Sequence, residues 1–95
     1  MMKYTALTLF LVLMASTAQA ACYADYKAKR DDPLKLHYGV VQLSGEACDN
    51  RKAARRQISD RLAANGWSLL KVQSIFDDTG LEERKESAGE FFLRF

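Results

Sequence analysis

In 95 residues the chain has one proline, five glycines, two cysteines and one histidine. So few chain breakers, with no internal repeat and no low-complexity linker, describe a chain that folds as one small domain. Cys22, Cys48 and His37 form no CxxC or HxxxH pair, so the clustered set of about four ligands that zinc needs is lacking, and no metal and no cofactor is expected. There is no phosphate loop, dinucleotide fingerprint or nucleophile elbow. An excess of one charge is also missing. Fourteen Lys and Arg stand against twelve Asp and Glu, and the balance is +1 once Lys3 is set aside. That excludes a strongly basic nucleic-acid binder and a disordered polyelectrolyte.

Long apolar runs are scarce as well, and the single one is at the start. Residues 4–15 read YTALTLFLVLMA, preceded by Lys3 and followed by the small-residue exit Ala18-Gln19-Ala20. These are the three parts of a secretory signal, so residues 1–20 are expected to be a signal peptide cleaved after Ala20. The run falls short of the roughly 20 residues that span a bilayer, so no integral membrane span is expected after cleavage. Gln19 stands where a lipid-attachment signal ending at Cys22 would carry an aliphatic residue, which argues against lipidation. The expected location is periplasmic or secreted. In an oxidising compartment two cysteines pair, and Cys22 with Cys48 is the one pairing available. Closing that loop stabilises the fold by roughly 3 to 4 kcal/mol on the chain-entropy model.

The mature chain reads as a lead-in segment and one domain. Residues 21–33 (ACYADYKAKRDDP) are mixed and charged and end in Asp31-Asp32-Pro33, which reads as a lead-in pinned by Cys22. Residues 34–43 (LKLHYGVVQL) alternate, slip phase at Val40-Val41 and resume, which predicts a strand with a bulge. Asp49 serves as N-cap for a helix to about residue 64, stopped by Asn65-Gly66, with Ala54, Ile58 and Leu62 on its buried stripe. Residues 67–76 (WSLLKVQSIF) form a second strand, 77–80 a turn, 81–89 a loop, and 90–95 (EFFLRF) a last strand. The expected fold is α+β, a small three-stranded sheet with one helix on one face in the order β-α-β-β over residues 34–95, with one disulfide. The first two strands should run parallel with a right-handed crossover, and the last two should form an antiparallel hairpin. A single helix leaves the other sheet face uncovered, so Val41, Leu69, Ile75 and Phe92 point to a homodimer, to a binding surface or to cover by the lead-in.

Over residues 38–95, YGVVQL, the helix ending RLAANGW, SLLKV and the terminal FFLRF together resemble a small bacterial domain family of unknown function. Its members run strand, helix, a Gly-Trp step into a strand, and a closing aromatic strand. The leader and the two cysteines resemble those of exported members from Gram-negative bacteria. This resemblance implies a fold and no catalytic residue. YGVVQLSG followed by RKAARRQISDRLAANGW is also similar to the first half of the sporulation-related repeat, a periplasmic domain that binds the glycan strands of peptidoglycan.

Few residues offer chemistry. His37 with a reduced cysteine would make a thiol couple, but export favours the disulfide, and His37 reads as a solvent-facing strand residue. Asp77, Asp78, Glu82 and Glu83 would supply acid and base for glycan cleavage, but they fall in a solvated turn and loop. Trp67, Phe91, Phe92 and Phe95 read as core. Charge placement stands out more. Arg51, Lys52, Arg55 and Arg56 crowd the first two turns of the helix, where the macrodipole is already positive and acids would stabilise. Only Arg56 has an i,i+4 acid, Asp60. Residues 77–90 hold six acids against Arg84 and Lys85. Either this acidic segment folds over the basic helix, or the charges are simply solvated, or the four cations bind an anion. The expected function is a non-enzymatic envelope or periplasmic binding or accessory module, partnered by a protein or an anionic envelope component. Peptidoglycan or anionic glycan binding is the alternative, and a thiol or glycan-cleaving enzyme is a distant one.

Overall fold

A computed structural model describes residues 21–95, so the leader expected at residues 1–20 lies outside the described residues. The fold is α+β, a three-stranded antiparallel sheet with helices on both faces and a Cys22–Cys48 disulfide. Strand β1 is Cys22–Arg30, β2 Lys35–Leu43 and β3 Ser68–Asp77; helix α1 is Arg51–Ala63 and α2 Glu82–Ala88. The strand order is β2-β1-β3, with β1 antiparallel to both neighbours.

The expected lead-in is therefore the central strand. Its side chains alternate: Cys22, Ala24, Tyr26 and Ala28 are buried on the first face, while Tyr23, Asp25, Lys27 and Lys29 point to the second. Alanine is a weak strand former, which hid the period, yet small side chains are what a central strand needs where a helix lies across it. Ala24 and Ala28 make room for the fully buried Ala54, Ile58 and Leu62 of α1. The expected parallel pairing of the first two strands is corrected accordingly. β2 and β3 run in the same direction, but β1 occupies the place between them and takes hydrogen bonds from both.

The bulge also lies elsewhere. β1 and β2 pair without interruption from Cys22↔Leu43 to Arg30↔Lys35, and the irregularities fall in the β1–β3 register. Val40 and Val41 are apolar in succession because both faces of β2 are covered there, not because the strand slips phase. Gly39 sits opposite Tyr26, and a Cβ at Gly39 would overlap the Tyr26 ring. The ring lies across the glycine and fills the space a side chain would take.

Helix α1 begins one residue later than expected. Asn50, rather than Asp49, is the N-cap, its side chain accepting from Ala53 N at 3.1 Å. The stop falls as expected. Gly66 takes φ 81°, Trp67 N donates to Leu62 O at 2.9 Å and Gly66 N to Ala63 O at 3.1 Å, the paired bonds of a Schellman end.

After β3, residues 78–80 form a short 3-10 turn, and the segment expected as a loop contains α2. Glu82 and Glu83 in its first turn complement the helix dipole, and Gly89 at φ 55° ends it. α2 crosses the second face, packing on β2 and burying Ala88 and Val40. The expected last strand reduces to a 3-10 turn, Gly89–Phe91, and one parallel bridge of Phe92 to Val40 at the free edge of β2, where Leu93 N donates to Val40 O at 2.8 Å. A strand would send Phe91, Leu93 and Phe95 to one side. Instead Leu93 takes φ 57° and stays exposed, while Phe91 and Phe95 turn back onto the first face.

The expected bare face is thus corrected. Val41 is buried under α1, Leu69 and Ile75 pack against the same core, Phe92 is half-buried, and α2 covers part of the second face. The large apolar residues that stay exposed among the described residues are Leu34, Leu36, Leu70 and Leu93.

Candidate functional site

Helical spacing divides the four cations at the start of α1. Arg51 and Arg55, one turn apart, face β3 and line a groove of about 590 Å³ with Lys71, Val72 and Gln73. The Arg51 guanidinium donates to Val72 O at 2.6 Å, which anchors it on the outer edge of β3. Arg56 turns the other way, into a shallower concavity with Glu46, Gln57 and Asp60, and Lys52 is exposed and lines neither. The structure thus separates the four residues and adds Lys71, which sequence reasoning missed. The signal was the one charged residue within the stretch WSLLKVQSIF, residues 67–76.

The acidic segment does not fold over these cations. α2 lies on the opposite face of the sheet from α1, because Arg84 is drawn to Asp25, a second-face residue of β1. Among the described residues, the ion pairs join Arg84 to Asp25 and Glu83, Arg94 to Glu90, and Lys29 to Asp31. None involves Arg51, Lys52, Arg55 or Arg56, and the expected Arg56–Asp60 pair is not formed. Exposed arginines without a carboxylate partner keep their charge available to an external anion.

Asp25, the one buried charged side chain among the described residues, is 5% exposed and fully satisfied. It accepts from Ser74 Oγ at 2.6 Å, Tyr38 Oη at 2.7 Å and Arg84 Nε at 3.1 Å. Burial by itself raises the Asp25 carboxyl; the bonds from Ser74, Tyr38 and Arg84, with the Arg84 charge, outweigh it and hold the carboxyl below its ordinary value. Tyr38 moves the other way. Burial, then the bond and charge of Asp25, push its hydroxyl up to about 12. An acid this well paired is a structural lock for α2 and not a general acid or base.

His37 is not solvent-facing. Its ring stacks on Phe91 with centroids 3.7 Å apart and meets Trp67 edge-on at 4.3 Å, and Nε2 lies 2.9 Å from Tyr26 Oη. Nδ1 is buried without a hydrogen-bond partner. Burial, then the nearby Arg30 charge, lower its pKa against a smaller opposing effect of Glu90, so the ring is neutral at pH 7. Both cysteines are in the disulfide, with Cα atoms 5.8 Å apart, so neither offers His37 a thiol. Asp77 accepts from the Thr79 backbone and hydroxyl, which lower its pKa and make it a turn residue. Among the described residues no three His, Cys, Asp or Glu gather as metal ligands, and no helix is long and apolar enough to cross a membrane.

A second concavity lies at the other end of α1, beside the tail. Trp67, Phe91 and Phe95 wall a cleft of about 520 Å³ that also holds Arg30, Lys35 and Arg94. Sequence reasoning placed these aromatics in the core and did not connect them with the three cations.

Compared with known proteins, the chain is matched by no family model, no curated protein and no solved structure.

Proposed function

We propose that this chain is an exported, non-enzymatic binding module whose basic groove between α1 and β3 holds an anionic component of the cell envelope. The observation that carries the reading is the convergence of Arg51, Arg55 and Lys71 on one groove with no ion-pair partner among the described residues. Helix stability does not account for cations at the positive end of the dipole, and Arg51 is held to β3 by backbone carbonyls, Val72 O at 2.6 Å and Gln73 O at 3.5 Å, with no carboxylate. The disulfide fits an oxidising compartment, as the leader does. The ligand class favoured is an anionic glycan, peptidoglycan foremost, because a polar groove of exposed cations suits repeated carboxylates. A homodimer belongs to the same proposal through Leu36 and Leu70, which line one shallow concavity with Lys27 and Tyr38.

The test is co-sedimentation of the oxidised protein, residues 21–95, with purified peptidoglycan sacculi at low and moderate salt. Pelleting that weakens with salt and is lost when Arg51, Arg55 and Lys71 are all replaced by Ala supports a wall-binding groove. Pelleting unaffected by the triple replacement refutes the groove, and no pelleting at any salt refutes the glycan ligand.

A further inference from the structure

The cleft beside the tail is built differently from the groove, and its parts point to a different kind of ligand. Its wall is an aromatic cluster in fixed contact: Phe91 stacks on His37, Trp67 stands edge-on to both, and Phe95 lies 6.1 Å from Phe91. The tail that brings Phe91 and Phe95 there is tied to β2 through the Leu93 to Val40 hydrogen bond. This wall is partly open, with Phe91 and Phe95 each half-buried.

Around the wall stand three cations. Arg30 is preset: its guanidinium lies 4.1 Å over the Trp67 ring and donates to Asn65 O at 3.2 Å, with no carboxylate paired to it among the described residues. Lys35 is exposed and likewise makes no ion pair. Arg94 meets Glu90 at 3.6 Å, a loose pair of two exposed side chains. Packing explains the aromatics, and capping the end of α1 explains Arg30. Neither explains Lys35 at the same mouth, while Arg94, paired loosely with Glu90, holds its guanidinium 5.7 Å from the Phe91 ring and 6.0 Å from the Phe95 ring.

We propose that this cleft is a second binding site, for an acidic sugar whose ring lies on the Phe91–Phe95 wall and whose carboxylate is held by Lys35, Arg94 and Arg30. An aromatic wall takes the apolar face of a ring, and a guanidinium held in place binds a carboxylate without losing further freedom. Glu90, the one acidic side chain lining the cleft among the described residues, selects a ligand that brings hydrogen-bond donors along with its negative charge, which hydroxyls on the ring supply. The volume lies within the range of small-molecule sites. This site stands apart from the groove at Arg51, Arg55 and Lys71 and does not rest on it.

Trp67 is the only tryptophan, so intrinsic fluorescence reports this cleft directly. The oxidised protein is titrated with glucuronate, with glucose as the same ring without the charge, with sulfate as the charge without the ring, and with phenylacetate as a ring and carboxylate without hydroxyls. Backbone amide NMR shifts are followed in parallel, which keeps the result independent of the indole signal. The expected result is saturable binding of glucuronate, with shifts at Gly66 and Phe91. Glucose, sulfate and phenylacetate each bind at least about tenfold more weakly. Replacing Lys35 and Arg94 together by Ala weakens glucuronate by about tenfold or more, whereas replacing Lys85, an exposed lysine that lines neither the cleft nor the groove, leaves it unchanged. Absence of saturable glucuronate binding by both readouts overturns the site. Equal binding of sulfate overturns the role of the ring, equal binding of glucose that of the charge, and tighter phenylacetate the sugar. Because the sacculus assay uses the Arg51, Arg55 and Lys71 variant, failure of one site is distinguishable from failure of the other.

Discussion

Removing the Arg84 guanidinium while keeping its stem tests the lock between α2 and the sheet. In Arg84→Met the side chain still covers the Phe76 ring, over which the guanidinium lies at 4.0 Å, but Asp25 loses its only cation. Asp25 keeps the Ser74 and Tyr38 hydroxyls, so it is left charged and buried with two donors out of three. Breaking a fully buried pair costs about 3 to 5 kcal/mol; because the Arg84 side chain is 22% exposed, water relieves part of this, and about 2 to 3 kcal/mol is expected. A domain of this size has roughly 4 to 11 kcal/mol in all, so the loss is large. Urea unfolding of the oxidised protein, followed by Trp67 fluorescence and by helical ellipticity, measures it. The Asp25→Asn variant closes a double-mutant cycle. A coupling below about 0.5 kcal/mol between the two changes would refute the lock. The pH dependence gives a second reading of the same contact. The Asp25 carboxyl is held below its ordinary 3.8, so the unfolded chain binds its proton first as pH falls. The stabilisation is full above the unfolded value and is lost as pH drops through the lower folded value. Asp25→Asn removes that acid limb.

Reduction of the disulfide, or Cys22→Ala with Cys48→Ala, should lower stability by roughly 3 to 4 kcal/mol for a closed loop with a sequence separation of 26, read from the urea midpoint at unchanged pH. Gly39→Ala drives a methyl into the Tyr26 ring and should cost about 1 to 3 kcal/mol, an effect that vanishes if Tyr26 is shortened to Leu in the same chain. His37 supplies a pH effect distinct from that of Asp25. Its folded pKa is depressed below 6.5 by burial and by Arg30, so the unfolded chain takes the proton first and stability falls as pH drops from about 6.5 toward the folded value. In His37→Phe the slope between pH 7 and 5 flattens; an unchanged slope in thermal melts would contradict the neutral, stacked ring. Leu36→Asp with Leu70→Asp should abolish any dimer seen by sedimentation equilibrium and leave the monomer folded, because both side chains are exposed.

Several elements were legible without coordinates because their signals are local. With two cysteines and a first segment that reads as a secretory signal, the disulfide is the expectation by count, and the structure closes it between Cys22 and Cys48. The Ala54, Ile58 and Leu62 stripe with the Asn65-Gly66 stop defined α1, and LLKVQSIF defined β3, since helical period, turn chemistry and β-branched content reside in neighbouring residues. The class and the number of strands followed as well. The identity of the strands did not. Residues 22–30 carry two alanines, two lysines and an arginine, and only the helix lying across them makes small side chains the right ones for a central strand. Residues 90–95 look more like a strand than 22–30 do, but α2 delivers them to the edge of β2 and the aromatic cluster turns them aside. The same holds for charge. That cations crowd the start of α1 and acids the segment 77–90 is plain from the order of residues along the chain. The tertiary structure alone decided that Asp25, 59 residues from Arg84, draws the acidic helix to the far side of the sheet, leaving Arg51 and Arg55 to meet Lys71. Local periodicity depends on neighbours in the chain, whereas the pairing of a buried charge depends on which groups the folded sheet places within hydrogen-bond reach of it, and no spacing along the sequence encodes that.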